Sequence, residues 1–305
     1  MASRKYKIKA GEAVPKGIAR IARGRIDHAL DELEGRSDSS PEEAVHEARK
    51  DMKKLRAVVR LVRPEIGDQV YRRENDCFRD AGQELSSMRD ADVMLATLAK
   101  LETEIPKHAA GDLRQALEAH KIRTAAGARK QASAQVVEIL TTARRRIGRW
   151  PIDDGGFDVV AGGLERIYRR GRKGFRAARA EPTTENLHEW RKRVKDLWYH
   201  LTILRTAWPP VMDALADEAH ALSEHVGDDH DLAVLLEWAH ANASNLNGSD
   251  PVLRGFDVIV ESRRRELQAE AFEFAERLYG DRPSAFVGRI EGWWEAAVRG
   301  EPARR

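Results

Sequence analysis

The sequence predicts an all-α protein built from two related halves around two copies of one amphipathic helix. Three observations carry that expectation. No window sustains the apolar–polar alternation of a half-buried strand, while apolar residues recur at three- and four-residue steps along most of the chain. The stretch LHEWRKRVKDLWYHLTILR, Leu187 to Arg205, has a counterpart in VHEARKDMKKLRAVVRLVR, Val45 to Arg63, at a constant offset of 142 residues. The offset holds for the charged residues and the apolar ones together, as a true repeat requires. Midway, GRWPIDDGG (Gly148–Gly156) has the Pro, Gly and Asp content of a connection.

Taken in order, residues 1–13 are short and basic and are expected to be flexible. Val14 to Leu33 is a helix, with Pro15 near its start and Gly35 past its end. Ser39, Ser40 and Pro41 followed by Glu42 and Glu43 make an N-terminal capping signal for the first repeat helix. Pro64 and Gly67 end it. A long helix follows from Asp68, bearing Arg72, Arg73 and Arg79, as far as the turn at Met88-Arg89-Asp90-Ala91-Asp92. Another helix runs through VMLATLAKLE. Pro106 and Gly111 break the chain, and residues 112–147 form one or two long helices with Lys121, Arg123, Arg129 and Lys130 along them. Arg144, Arg145 and Arg146 near that end complement the helix dipole.

This first half, 14–150, is joined by a linker at 151–156 to a second half, 157–300. Asp158 to Ala180 is a strongly basic helix in which GLERIYR (Gly163–Arg169) echoes GIARIAR (Gly17–Arg23), so that Arg166 matches Arg20 and Arg169 matches Arg23. Glu181-Pro182-Thr183 precedes the second repeat helix and Pro209-Pro210 follows it. Residues 211–226 are helical. GDDHDLAVLLEW (Gly227–Trp238) then answers RDADVMLATL of the first half, with Asp228 and Asp229 placed to cap a new helix. NASNLNGSDP (Asn242–Pro251) reads as a loop, Val252 to Leu278 as one helix, and a last helix carries Trp293 and Trp294.

On a helical wheel at about 100° per residue, the two repeat helices each separate into two faces. His46, Arg49, Lys50, Lys53 and Arg60 share one side of the first, opposite Met52, Leu55, Val59 and Val62. His188, Arg191, Lys192 and Lys195 share one side of the second, backed by Trp190, Val194, Leu197, Leu201 and Leu204. An ordinary exposed face mixes signs at i, i+4, because like charges at that spacing repel. Here cations stand on cations, an arrangement that an anion would offset. A solvated basic face is the plain alternative, and a polar core role is the alternative for either histidine.

Composition narrows the rest. Charged residues make up 34% of the chain against 42% hydrophobic, which suits long amphipathic helices with wide polar faces. The net charge is only +3, so any anion site must come from local concentration of basic residues. One cysteine excludes an internal disulfide. The first residues lack the apolar core of a signal peptide and no run approaches a membrane span, so a cytoplasmic protein with no membrane partner is expected.

Other chemistries fit less well. His225, Asp228, Asp229, His230 and Asp231 have the composition of a metal site, but capping is the commoner use of such aspartates. HEARK and HEWRK lack the second histidine of a zincin motif, since Lys50 and Lys192 stand at that position. There is no Gly-rich phosphate loop before a strand and no nucleophile motif, so no cofactor, metal or catalytic residue is expected. Nucleic acid is a rival partner, disfavoured because aromatics are only 6% of the chain and do not interleave with the basic residues.

The two HExRK segments, GLERIYRRGRK (Gly163–Lys173), LSSMRDADVML (Leu85–Leu95), GDDHDLAVLL (Gly227–Leu236) and RRRELQAEAFEFAERLYGDRPSAF (Arg263–Phe286) together resemble the CHAD family of α-helical domains. The resemblance spans about residues 14–298. It implies two four-helix bundles related by a pseudo-twofold axis, with inorganic polyphosphate bound in the basic cavity between them. It also implies a place on polyphosphate granules, where some members are found. Carried over by motif, the binding residues would be His46, Arg49, Lys50, Lys53, His188, Arg191, Lys192 and Lys195. Arg20, Arg23, Arg166, Arg169, Arg170 and Lys173 would assist. Arg56 and Arg60 become Trp198 and Thr202 in the second copy, so the channel is expected to be unequal. The expected activity is binding without catalysis. A metal-dependent phosphohydrolase is the alternative from another class.

Overall fold

The computed structural model describes residues 6–85, 90–125, 128–243 and 250–300. The side chains of Arg123, Arg129 and Lys130, the turn residues Met88 and Arg89, and most of the expected loop from Asn242 to Pro251 lie outside the described residues. Among those described are eleven α-helices and no strand. They are α1 (Val14–Leu33), α2 (Pro41–Leu61), α3 (Arg63–Glu84), α4 (Asp90–Leu101), α5 (Lys107–Ala125), α6 (Ala128–Ile147), α7 (Asp158–Ala180), α8 (Thr184–Ile203), α9 (Pro209–Ala241), α10 (Asp250–Leu278) and α11 (Pro283–Gly300).

The two repeat helices are α2 and α8, and local chemistry sets where they begin. Ser40 accepts from the Glu43 backbone N–H while the Glu43 carboxylate accepts from the Ser40 N–H at 2.9 Å, a complete capping box. Thr183 caps α8 by accepting from the Asn186 N–H. After Leu61 the chain turns straight into α3, and Gly67, with φ 73° and ψ 163°, breaks helical geometry just before the long expected helix at Asp68. A positive φ of that size favours glycine.

Two expectations need correction. The N-terminal segment is tied down over residues 6–13. Ile8 is fully buried, its N–H donates to Ile203 O at 3.0 Å, and its carbonyl accepts from Thr206 Oγ1 at 3.0 Å. Tyr6 adds a hydrogen bond to Lys54 O. Burying one isoleucine contributes roughly 1.5–3 kcal/mol, about what ordering one or two residues costs. The hydrogen bonds to both halves are therefore what fix the segment. The second correction concerns Asp228 and Asp229. They do not cap a new helix, because α9 runs unbroken from Pro209 to Ala241. Their carboxylates find tertiary partners instead: Asp229 takes Arg264 at 3.0 Å and Gln268 at 2.8 Å, and Asp228 takes Lys100 at 2.8 Å. An aspartate satisfied from outside has no need to bend back on its own backbone.

Packing follows the halves only in part. α1, α2, α3 and α6 lie against one another, as do α7, α8, α9 and α10, with α11 against α7. One continuous core joins the two sets, from Ile18, Ile26 and Leu55 to Leu164, Leu197 and Leu222. The α4–α5 pair, however, packs on the second half. Met94, Leu98, Leu113 and Leu117 bury against Leu232, Leu235, Phe256 and Val260. The halves therefore interlock. They meet tightly at Gly163 of α7, where a Cβ would stand 1.7 Å from Leu61 O. Gly163→Ala should destabilise the protein by about 3 kcal/mol or more, the upper range for overpacking. Gly255→Ala, at an open site in α10, should stabilise it by roughly 0.5–1 kcal/mol. Denaturant unfolding of the two variants checks both signs.

Candidate polyanion-binding cavity

The apolar sides of α2 and α8 dictate where their basic sides must face. Met52, Leu55, Val59, Trp190, Val194, Leu197 and Leu201 are all at most 1% exposed. With those backs in the core, the opposite faces border a cavity of about 450 Å³ between α2, α3 and α8. Arg49, Lys53, Arg56 and Arg60 enter it from α2, and Arg79 from α3. Arg191, Lys192, Arg193 and Lys195 enter from α8 with His188. Among the described residues lining it, Asp196 is the one carboxylate.

These cations are not equivalent. Arg60 donates to Asp196 at 2.8 Å and to Asn75 Oδ1 at 3.2 Å; Arg193 donates to Asp196 at 3.2 Å, and Arg56 to Asn75 at 3.3 Å. Arg79 is held by Asp76 and Asp80, and Lys192 by Glu189. Lys53, Arg191 and Lys195 have no carboxylate within salt-bridge distance among the described residues; Lys195 instead lies over the Trp198 ring at 5.8 Å. Lys53 remains exposed to the cavity, yet protein surrounds its ammonium. That crowding, followed by repulsion from Lys195, Arg191 and Arg49, lowers its pKa to about 7. Burial and then Arg191 lower that of Lys195 as well. Burial and then Arg60 bring Arg56 down to about 10.

A histidine pair adjoins this wall. The rings of His188 and His230 lie 4.4 Å apart, and the Nδ1 atom of each is buried without a hydrogen-bond partner, as is Arg191 Nε. Burial and then Arg191 push His230 down to about 3; burial and then Lys192 lower His188. Both imidazoles are therefore neutral near pH 7. Asp231, on the same side, is raised by burial against the opposing pull of Arg191. The neighbouring metal candidates diverge: His225 meets Glu270 at 3.0 Å, while Asp228 and Asp229 are engaged as described above. Among the described residues no group of three His, Cys, Asp or Glu side chains could hold a metal ion.

Of the residues expected from sequence, Arg49, Lys53, Arg60, His188, Arg191, Lys192 and Lys195 come together in the cavity wall. His46 and Lys50 sit toward the start of α2 beside Glu47, with Lys50 at 2.7 Å from it and close enough to Lys195 to repel it. Arg20 is engaged elsewhere, by Glu12 at 2.6 Å and Lys7 O at 2.8 Å, and Arg23 lies against Gly148. On α7, Arg169 pairs with Glu165 and Lys173 is exposed. Burial lowers the Arg170 pKa, and Arg193 and Arg166 lie near enough to Arg170 to lower it further. The expected binding residues did not include Arg79 or Arg193, and Arg56 entered the expected channel only as a position where the two copies differ. Arg56 stands at helical spacing from Lys53 and Arg60 and was legible on that ground. Arg193 matches Asp51 across the repeat, so the repeat concealed it.

Residues 20–240 match the family model described as CHAD domain. The chain belongs to the CHAD domain family. It is similar to the crystal structure of the CHAD domain from the plant Ricinus communis, with 18% identity over 97% of this chain and 95% of that one, and a TM-score of 0.56. At that identity the likeness concerns the fold. No curated protein matches the chain. Within this CHAD domain no helix of the described residues is long and apolar enough to cross a membrane.

The CHAD cavity rests on a buried crossing of α2 and α8. His200 of α8 is fully buried and its Nε2–H donates to Ala57 O of α2 at 2.9 Å, leaving Nδ1 without a partner. A proton on Nδ1 would have no acceptor, and burial lowers the pKa to about 4. The unfolded chain accepts that proton near 6.5. Stability should therefore fall as pH drops from about 6.5 to about 4 and level off below, by about 3 kcal/mol from this residue. Unfolding free energies of wild type and His200→Gln, measured across that range, should differ in slope by one proton.

Proposed function

We propose that the cavity between α2 and α8 binds inorganic polyphosphate. The observation that carries this reading is the convergence of Lys53, Arg191 and Lys195, with no carboxylate within salt-bridge distance among the described residues, inside a wall that holds six further lysines and arginines and the single carboxylate Asp196. Like charges brought this close destabilise the empty protein, and the most direct relief is a ligand with many regularly spaced negative charges. Arginine contributes paired donors and lysine a point charge, and both suit phosphate oxygens. A cavity of about 450 Å³ has room for a short run of a linear chain and none for a duplex. The constant offset of the repeat supports an approximate twofold relation between the two faces, with Lys53 matching Lys195 and Arg49 matching Arg191.

Binding without cleavage is part of the proposal. The acids nearest the cavity have other work: Asp196 holds two arginines, Asp229 holds Arg264 and Gln268, and Asp231 lies within the field of Arg191. Retention of polyphosphate would carry the protein to granules of that polymer. Duplex DNA offers charge at a different spacing and breadth, so it should bind much more weakly.

Calorimetric titration with long-chain polyphosphate, beside duplex DNA and in two salt concentrations, tests the reading. Salt-sensitive binding of polyphosphate with far weaker binding of DNA is expected. Equal affinity for both would reduce the site to generic electrostatics. Lys53→Gln and Lys195→Gln should each cost about 1.5–3 kcal/mol, or roughly tenfold to a hundredfold in affinity. Because a bound anion favours the charged form of Lys53, its pKa of about 7 should rise in the complex. Binding should then take up a proton at pH 8 and weaken as pH rises through 7 to 9. Titration in buffers of different ionisation enthalpy reads that proton directly, and Lys53→Gln should abolish it.

A further inference from the structure

Asp196 is out of place in a wall of cations, and the repeat shows how it came there. Its match in α2 is Lys54, and the match of Arg193 is Asp51. Each helix thus carries an acid and a base three residues apart, in opposite order. In α2 the acid turns away from the cavity: Asp51 is 1% exposed, 2.6 Å from His28 and 3.2 Å from Arg25 on α1. In α8 the acid turns in, to Arg60 and Arg193.

The cavity is therefore electrically lopsided. At one end Asp196 and Asn75 satisfy Arg56, Arg60 and Arg193; at the other, among the described residues, Lys53, Arg191 and Lys195 have no carboxylate within salt-bridge distance, and Asp231 and Glu224 act there only through the longer-range field. Displacing Asp196 from its arginines would leave a carboxylate that is 5% exposed without partners beside an incoming anion. It stays where it is. Past it the cations resume on α7, where Arg170 lies within the field of Arg193 and of its neighbour Arg166.

We propose that Asp196 is a specificity-determining residue, a tethered internal anion that occupies the Arg60–Arg193 end and confines bound polyphosphate to the Lys53–Arg191–Lys195 end. This rests on the polyphosphate reading and deepens it. A short chain fills the open end. A longer chain gains nothing by extending toward α7, because its next phosphates would meet a carboxylate. With Asp196 neutralised, Arg60, Arg193 and the α7 arginines become one continuous track.

The experiment compares tripolyphosphate and long-chain polyphosphate on wild type, Asp196→Asn and Asn75→Asp, with thermal melting of each variant as a folding control. Asp196→Asn should tighten long-chain binding at least tenfold, steepen its salt dependence, and leave tripolyphosphate within about threefold. An equal change for both ligands, or none, would overturn the proposal. Asn75→Asp adds a carboxylate on the existing hydrogen bonds to Arg56 and Arg60 and is expected to fold. It should lower tripolyphosphate affinity by less than threefold. A loss above tenfold would mean that phosphates already sit on those arginines, and would overturn the proposal even if Asp196→Asn were unstable. Wild-type protein that binds neither ligand would defeat the polyphosphate reading and this inference together. Wild-type binding of both with an inert Asp196→Asn defeats this inference alone.

Discussion

Everything at the candidate site depends on the burial of the apolar backs of α2 and α8 in one core. Two unit charges 6 Å apart repel by roughly 3 kcal/mol at an effective dielectric near 20, so a cluster of like charges disperses unless something else holds it. Here the restraint is a set of aliphatic and aromatic side chains, each contributing roughly 1.5–3 kcal/mol on burial. Leu55, Val59, Trp190, Leu197 and Leu201 are fully enclosed. The basic residues cannot leave without lifting those backs out of the core. Hydrophobic burial therefore stores the electrostatic strain that a ligand could release.

The interlock of the halves matters for the same reason. Two bundles that met only at α2 and α8 could slide apart under the repulsion. Three features oppose that motion: the contact of Gly163 with Leu61 O, the α4–α5 pair packed on α9 and α10, and Ile8 wedged between the halves. His200 adds a hydrogen bond across the crossing itself. Each is a short-range contact that tolerates little displacement, which suits a cavity whose lining must keep its spacing.

Much of this was legible in the sequence where the signal was local or periodic. The capping box at Ser40, the helix from Val14 to Leu33, and the apolar and basic stripes of α2 and α8 follow from residues a few positions apart. What escaped depended on tertiary partners. Nothing near Asp228 and Asp229 announces that Arg264, Gln268 and Lys100 will meet them, so a capping role was the sensible local reading. Arg20 looked like a member of the basic face because its match, Arg166, lies on a basic helix, yet Glu12 claims it from a segment that the sequence marks only as short and basic. Arg193 was hidden because the repeat substitutes an acid at its position.

That last case shows why a repeat is informative where it breaks as well as where it holds. Positions kept across the offset, such as Lys53 with Lys195 and Arg49 with Arg191, sit at the end of the cavity that, among the described residues, no carboxylate lines. Positions that differ, Arg60 against Thr202 and Asp196 against Lys54, sit at the end where charge is matched internally. A symmetric cavity would have to tolerate repulsion along its whole length when empty. Reversing one acid–base pair neutralises half of it at the cost of ligand contacts there. On the proposed polyphosphate reading, the asymmetry is a compromise between stability of the unliganded fold and reach along a polyanion, decided by the order of two residues on one helix.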